Sequence, residues 1–207
     1  MSRKFFIAII ALALSAPIFS CAAQNGITSG KIFGVQVGER IALSAGELAR
    51  EPGEHSGSLV RTNAEKPADI QYLQIYKTPK SHIVTNVEGV SNFRSRDQAM
   101  AFANKYMKLL PALAQGFSAA TTIDTTGDYP LELKSENWEL YVLVRDLKKA
   151  SGRTGYAVRI GLKPASRTAL DYQLFQLVTQ EQKEIDKDVR ERAVERARAN
   201  GELKGLR

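Results

Sequence analysis

A chain of 207 residues with 43% apolar content and 8% aromatics can bury a core of its own, which excludes a disordered or fibrous polymer. The formal charge is +7, but Arg3 and Lys4 belong to an export segment; without them 27 of the 29 basic residues face 22 acidic ones, leaving +5. So mild an excess favours contact with anionic surfaces. It lacks the concentrated basic stripe of a nucleic-acid binder, and no nucleic acid is expected as partner.

Residues 1–23 read as a secretory signal. Arg3 and Lys4 supply the positive end, Phe5 to Ala16 is a continuous apolar run, and small residues follow at Ser20-Cys21-Ala22-Ala23. The run is shorter than the ~20 apolar residues of a permanent membrane span. Two endings stay open. Ile18-Phe19-Ser20-Cys21 resembles a bacterial lipobox, with the bulky Phe19 as its departure, and would make Cys21 an acylated N-terminus. Cys21-Ala22-Ala23 also satisfies the small-x-small rule for ordinary cleavage after Ala23. Either ending predicts an exported protein, free in the periplasm or held as an outer-membrane lipoprotein facing it. Cys21 is the only cysteine, so no disulfide supports the mature fold.

Residues 24–30 form a flexible tether, residues 31–165 an α+β domain and residues 166–207 a C-terminal helix. Within the domain, Lys31 to Gly38 reads as a short strand closed by glycine, and residues 39–68 are weakly patterned, with a helical turn or two at Ser44 to Arg50. Ile70 to Tyr76 is rich in β-formers, and Thr78-Pro79-Lys80 turns it into a second strand, His82 to Val90, which Ser91-Asn92 is expected to end.

Ser95-Arg96-Asp97-Gln98 has capping-box form. Behind it Ala99, Phe102, Ala103, Tyr106, Leu110 and Leu113 share one helical face, and Pro111 is expected to kink or end the helix near Leu110. Ser81 to Leu113 is therefore the stretch around which the domain is organised. Gly116 to Pro130 reads as a loop.

Trp138 to Leu147 and Tyr156 to Leu162 are two further strands. The second alternates Tyr156, Val158, Ile160 and Leu162 with Ala157, Arg159 and Gly161, and the connection from Lys148 to Gly155 makes a hairpin with a basic tip. Strands grouped around one helix argue for α+β with an antiparallel sheet packed against that helix.

Pro164 opens the last element, a helix from about Thr168 to Asn200. Leu170, Leu174, Leu177 and Val178 form its apolar stripe, with acid-first pairs Asp186–Arg190 and Asp188–Arg192 farther on. At 1.5 Å per residue it would run roughly 50 Å, so its first half should dock and its second half project.

Little in the chain points to chemistry. His55 and His82 are the only histidines and have no metal-ligand spacing; no metal, cofactor or catalytic residue is assigned. A hydrolase would need one of them in a cleft beside an acid. Ser151-Gly152-Arg153-Thr154-Gly155 lacks the Lys of a phosphate-cradling loop, and Asp124-Thr125-Thr126-Gly127 departs from the Asp-Thr-Gly turn of aspartic proteases by an extra threonine. Tyr72, Tyr76 and Tyr156 could form an aromatic stripe, though sheet-edge packing explains them as well. Lys148, Lys149, Arg153 and Arg159 are the candidate anion contacts, with Arg94 and Arg96 a second basic pair.

The Ile32-Phe33-Gly34-Val35-Gln36-Val37-Gly38 opening, the Ile83 to Val90 strand ending in Glu88-Gly89-Val90, and the Ser95-x-x-Gln98 helix start resemble uncharacterised bacterial exported proteins. That resemblance implies an envelope location and an α+β fold, and carries no activity. The resulting expectation is a non-catalytic envelope protein, such as an accessory, inhibitor or immunity-type module, that binds another envelope protein. Its rivals are a small envelope hydrolase and an anionic-lipid or polyanion binder using the basic hairpin.

Overall fold

The computed structural model describes residues 30–48, 57–62, 64–114, 116–119 and 131–200. The export segment with Cys21, His55 and the Asp124 to Gly127 turn lie outside them.

The fold is α+β. Two short strands, β1 (Lys31–Ile32) and β2 (Val35–Gln36), make a small hairpin of their own. Seven strands form the main sheet: β3 (Ser58–Arg61), β4 (Tyr72–Lys77), β5 (Val84–Phe93), β6 (Ser118–Ala119), β7 (Leu131–Lys134), β8 (Trp138–Asp146) and β9 (Tyr156–Pro164). They lie in the order β3-β4-β5-β9-β8-β7-β6, and every pairing is antiparallel.

Because side chains alternate along a strand, the register fixes two faces. Leu73 and Ile75, Val87, Val158, Ile160 and Leu162, and Leu140, Val142 and Val144 fall on one face and form the core. Helix α2 (Arg96–Leu113) lies across that face over β5, β9 and β8, burying Ala99, Ala103, Tyr106 and Leu110. Ser95 caps it by accepting from Gln98 N–H. A tilted aromatic run, Phe93–Phe102–Tyr106 with centroids 5.0 Å apart, locks its first half to the end of β5. Short helix α1 (Ala45–Leu48) is held by Glu47, whose carboxylate takes Arg61 Nε at 2.9 Å and Ser44 N–H at 2.7 Å. Among the described residues no helix is long and apolar enough to cross a membrane.

Helix α3 (Leu147–Ser151) fills the connection between β8 and β9 and closes on Gly152 in the left-handed region. Helix α4 (Ala169–Ala199) begins at the N-cap Thr168 and ends at the C-cap Asn200. It starts where Ala165 N–H meets Asn137 O, packs Leu170 near Gly38, buries Leu174, and then passes the turn between β4 and β5. There the buried Glu181 carboxylate accepts Lys80 N–H at 2.6 Å and Ser81 N–H at 3.2 Å. Beyond Ile185, which is buried, its side chains are exposed or half-buried.

Several details depart from the sequence expectation. The opening stretch is no single strand: Phe33 and Gly34 both take positive φ (52° and 74°) and turn it back on itself as a two-residue hairpin. The strand through Val90 does not stop at Ser91-Asn92 but runs to Phe93, because β9 pairs with it throughout. The polar pair is satisfied in place: Ser91 Oγ donates to Asp69 O, and Asn92 N–H donates to the Gln71 side chain.

Pro111 does not end α2 at Leu110. The helix continues to Leu113, and Ala114 N–H closes its last turn on Leu110 O. The weakly patterned stretch holds edge strand β3, the predicted loop contains β6, and β7 precedes β8 unannounced. Pro164 ends β9 instead of opening the last helix. Asp186 accepts from Gln182 at 2.9 Å, and Asp188 faces Lys80 at 3.6 Å.

Candidate functional site

The second face of the sheet carries a polar cluster that four strands assemble. Glu88 sits in β5, opposite Gly161 of β9, which is in turn opposite Tyr141 of β8. A Cβ on Gly161 would fall 2.3 Å from the Tyr141 ring, so only glycine lets that ring lie across β9. The phenol thereby reaches two strands away and donates to Glu88 Oε1 at 2.6 Å. On the other oxygen, Arg159 Nη1 donates to Oε2 at 2.6 Å and also to Tyr76 Oη at 3.0 Å, while Tyr76 Oη donates to Oε2 at 3.2 Å. Asn86 Nδ2 donates to Tyr141 Oη at 3.1 Å and closes the set.

The electrostatics are those of a paired, buried unit. Burial pushes both phenols up, and the negative Glu88 pushes them further, so Tyr76 and Tyr141 stay protonated donors. Burial works against the Arg159 charge, but Glu88 outweighs it and the guanidinium is held up. One strand over, buried Glu139 lies between Lys134 and Lys163, each 3.3 Å from a carboxylate oxygen, with Lys163 Nζ 5.8 Å from the Tyr141 ring centre. Both Glu88 oxygens are already engaged by side chains of other strands. This arrangement ties β4, β5, β8 and β9 together, and chemically it is a fold-holding ion pair.

The sequence candidates separate once placed. Arg159 belongs to this cluster, not to the basic hairpin. Lys148 and Lys149 on α3 and Arg153 in the following turn are exposed. Tyr72 and Tyr76 share the polar face, whereas Tyr156 packs toward the α2 side, opposite Phe93, so the three tyrosines form no stripe. His82, expected to open the second strand, lies instead in the β4–β5 connection two residues before β5, with φ 58° and its Nδ1 3.1 Å from Lys77 Nζ. No group of three or more metal-ligating side chains occurs among the described residues.

Sequence reading missed Glu88 and Tyr141 as a unit. The available signal was one acid and one arginine inside otherwise apolar central strands, with a glycine two residues from the arginine.

The most exposed large aromatics lie elsewhere. Tyr172 and Phe175 are 61% and 67% exposed on the side of α4 turned away from Leu174 and Ile185. They sit in a stretch, Tyr172 to Gln180, without a charged residue, whereas the helix from Glu181 onward is dense in charge. No family profile, curated protein or solved structure matches the chain.

Proposed function

We propose that the chain is an exported, non-catalytic envelope protein that binds another protein through the free face of α4. One observation carries this reading: Tyr172 and Phe175 stand largely in solvent on a helix whose other face is fixed by Leu174, Glu181 and Ile185. Aromatic side chains offer much contact area with few rotamers to freeze, and they anchor interfaces when presented on a rigid support. The surrounding uncharged surface costs little to desolvate. The signal-like residues 1–23 support an envelope location for such contacts.

A photo-reactive residue at position 175, in the exported protein in its own bacterium, tests this directly. The expected result is one discrete cross-linked product that disappears with Tyr172→Ser, with none from the same probe at Lys108 on α2. No product at position 175, or the same products at both positions, would count against the reading. Intact mass of the recovered protein separates an acylated Cys21 from a chain starting at Gln24, and so an anchored module from a diffusing one.

A further inference from the structure

The fold gathers basic residues that the sequence keeps apart. Phe93 at the end of β5, Tyr156 at the start of β9 and Asp146 at the end of β8 pair across one end of the sheet. Strands lie about 4.8 Å apart, so the ends of β5 and β8 are about 10 Å apart. Arg94 and Arg96 leave β5 there, Arg145 precedes Asp146, and Lys148, Lys149 and Arg153 belong to the α3 connection. Gly155 lies against the Phe93 carbonyl, which brings the Arg153 turn beside Arg94.

All these cations are exposed, and the ion pairs of the described residues involve none of them. Among the described residues the acids at this end are Asp97 and Asp146, and the Asp146 carboxylate is occupied by the N–H groups of Lys148 and Lys149. Elsewhere some exposed lysines are paired: Lys80 meets Glu184, Lys105 meets Asp69, and Lys134 meets Glu132.

We infer that this end of the molecule docks on an anionic phospholipid surface. None of the most exposed large apolar residues, which are Val60, Leu109, Leu113, Tyr172, Phe175 and Val194, lies among these cations. A protein partner would need an apolar centre within the patch. A layer of lipid phosphates needs only unpaired cations spread over one face, each contributing through the negative surface potential. The surface is distinct from the free face of α4, and α4 passes the opposite end of the sheet, at the turn between β4 and β5. Docking on lipid would therefore leave the distal part of α4 accessible.

The test uses the exported protein carrying Cys21→Ser, so that acylation plays no part. Binding is measured to phosphatidylcholine vesicles with and without one-third phosphatidylglycerol. Binding should require phosphatidylglycerol and fall steeply from low to half-molar salt. The triple variant Arg94→Gln, Lys149→Gln, Arg153→Gln should lose roughly 100-fold in partitioning, from a per-cation contribution of this size. The variant Arg94→Lys, Arg153→Lys should retain most of the binding. The equally neutralising Lys187→Gln, Arg190→Gln, Arg196→Gln on α4 should change it only a few-fold. Equal losses from both triple variants would reduce the effect to net charge and overturn the assignment. Absence of binding to phosphatidylglycerol vesicles would overturn it too, as would tight binding to soluble heparin without binding to vesicles.

Discussion

Arg153 and Arg159 are six residues apart in the sequence and read alike there, yet they occupy opposite regimes. Arg159 is tucked into the sheet with Glu88, Tyr76 and Tyr141; Arg153 stands in solvent with Lys148 and Lys149 beside it. Strand spacing accounts for the difference. Arg159 lies in the middle of β9, where a neighbouring strand on each side can supply partners, whereas Arg153 lies in a turn with no strand beside it. The charge in the central strand is bound by the fold, and the charge in this turn is left for something else.

The comparison breaks most sharply if the buried pair is opened. Glu88→Ala strands the Arg159 guanidinium and should cost about 3–5 kcal/mol in urea unfolding. Replacing both Glu88 and Arg159 by Met should recover most of that, because no charge then stays uncompensated. Gly161→Val acts on the same unit from outside it. The new side chain displaces the Tyr141 ring, for an expected loss of about 1–3 kcal/mol, with Tyr141 fluorescence or ring NMR shifts reporting the displacement.

Glu181 offers a pH handle on α4. Burial raises its carboxyl, but the Ser81 side chain and the N–H groups of Lys80 and Ser81 outweigh burial and hold it below its ordinary 4.5. The sign follows from that depression: the stability it contributes is present above its unfolded-state value and is lost as pH falls through the lowered folded-state value. Glu47, lowered to about 2 chiefly by Arg61, behaves the same way. Glu181→Ala should therefore cost about 1–3 kcal/mol at neutral pH and flatten the acid limb of thermal stability, as read by melting at successive pH values. The smallest effect belongs to the exposed end. Lys149→Gln with Arg153→Gln should leave stability within about 0.5 kcal/mol of the parent in the same urea titration.

What the sequence disclosed follows from how local each signal is. Helix α4 was legible at both ends because Thr168 and Asn200 are caps, whose chemistry lies within a few residues of the helix they terminate. Ser95 marked the start of α2 for the same reason, and alternation in Tyr156 to Leu162 assigned each side chain its face. Strand ends were harder to read. Ser91-Asn92 has turn chemistry, but pairing with β9 and hydrogen bonds from Gln71 and to Asp69, twenty or more positions back, keep it in the sheet. Strands β3 and β7, with four residues each, carry too few positions for a period to show.

The cluster was illegible for a stronger reason. Tyr141 and Glu88 are 53 positions apart, and Arg159 and Glu88 are 71 apart. Alternation tells which face a side chain takes and says nothing of which strand lies alongside. Sequence position alone therefore groups Arg159 with Lys148, Lys149 and Arg153, and separates Arg94 from Lys149 although both stand at the same end of the sheet.

The division between fold-holding and free charge is tested most directly by a double-mutant cycle on Glu88 and Arg159, read by urea unfolding. Glu88→Met, Arg159→Met and the double variant should give a coupling energy above about 2 kcal/mol, because either lone charge is stranded in the sheet. The cycle of Asp146→Asn with Arg153→Gln at the exposed end should close to within about 0.5 kcal/mol. Additive losses at Glu88 and Arg159 would contradict the account, since the buried pair would then behave as two independent surface charges.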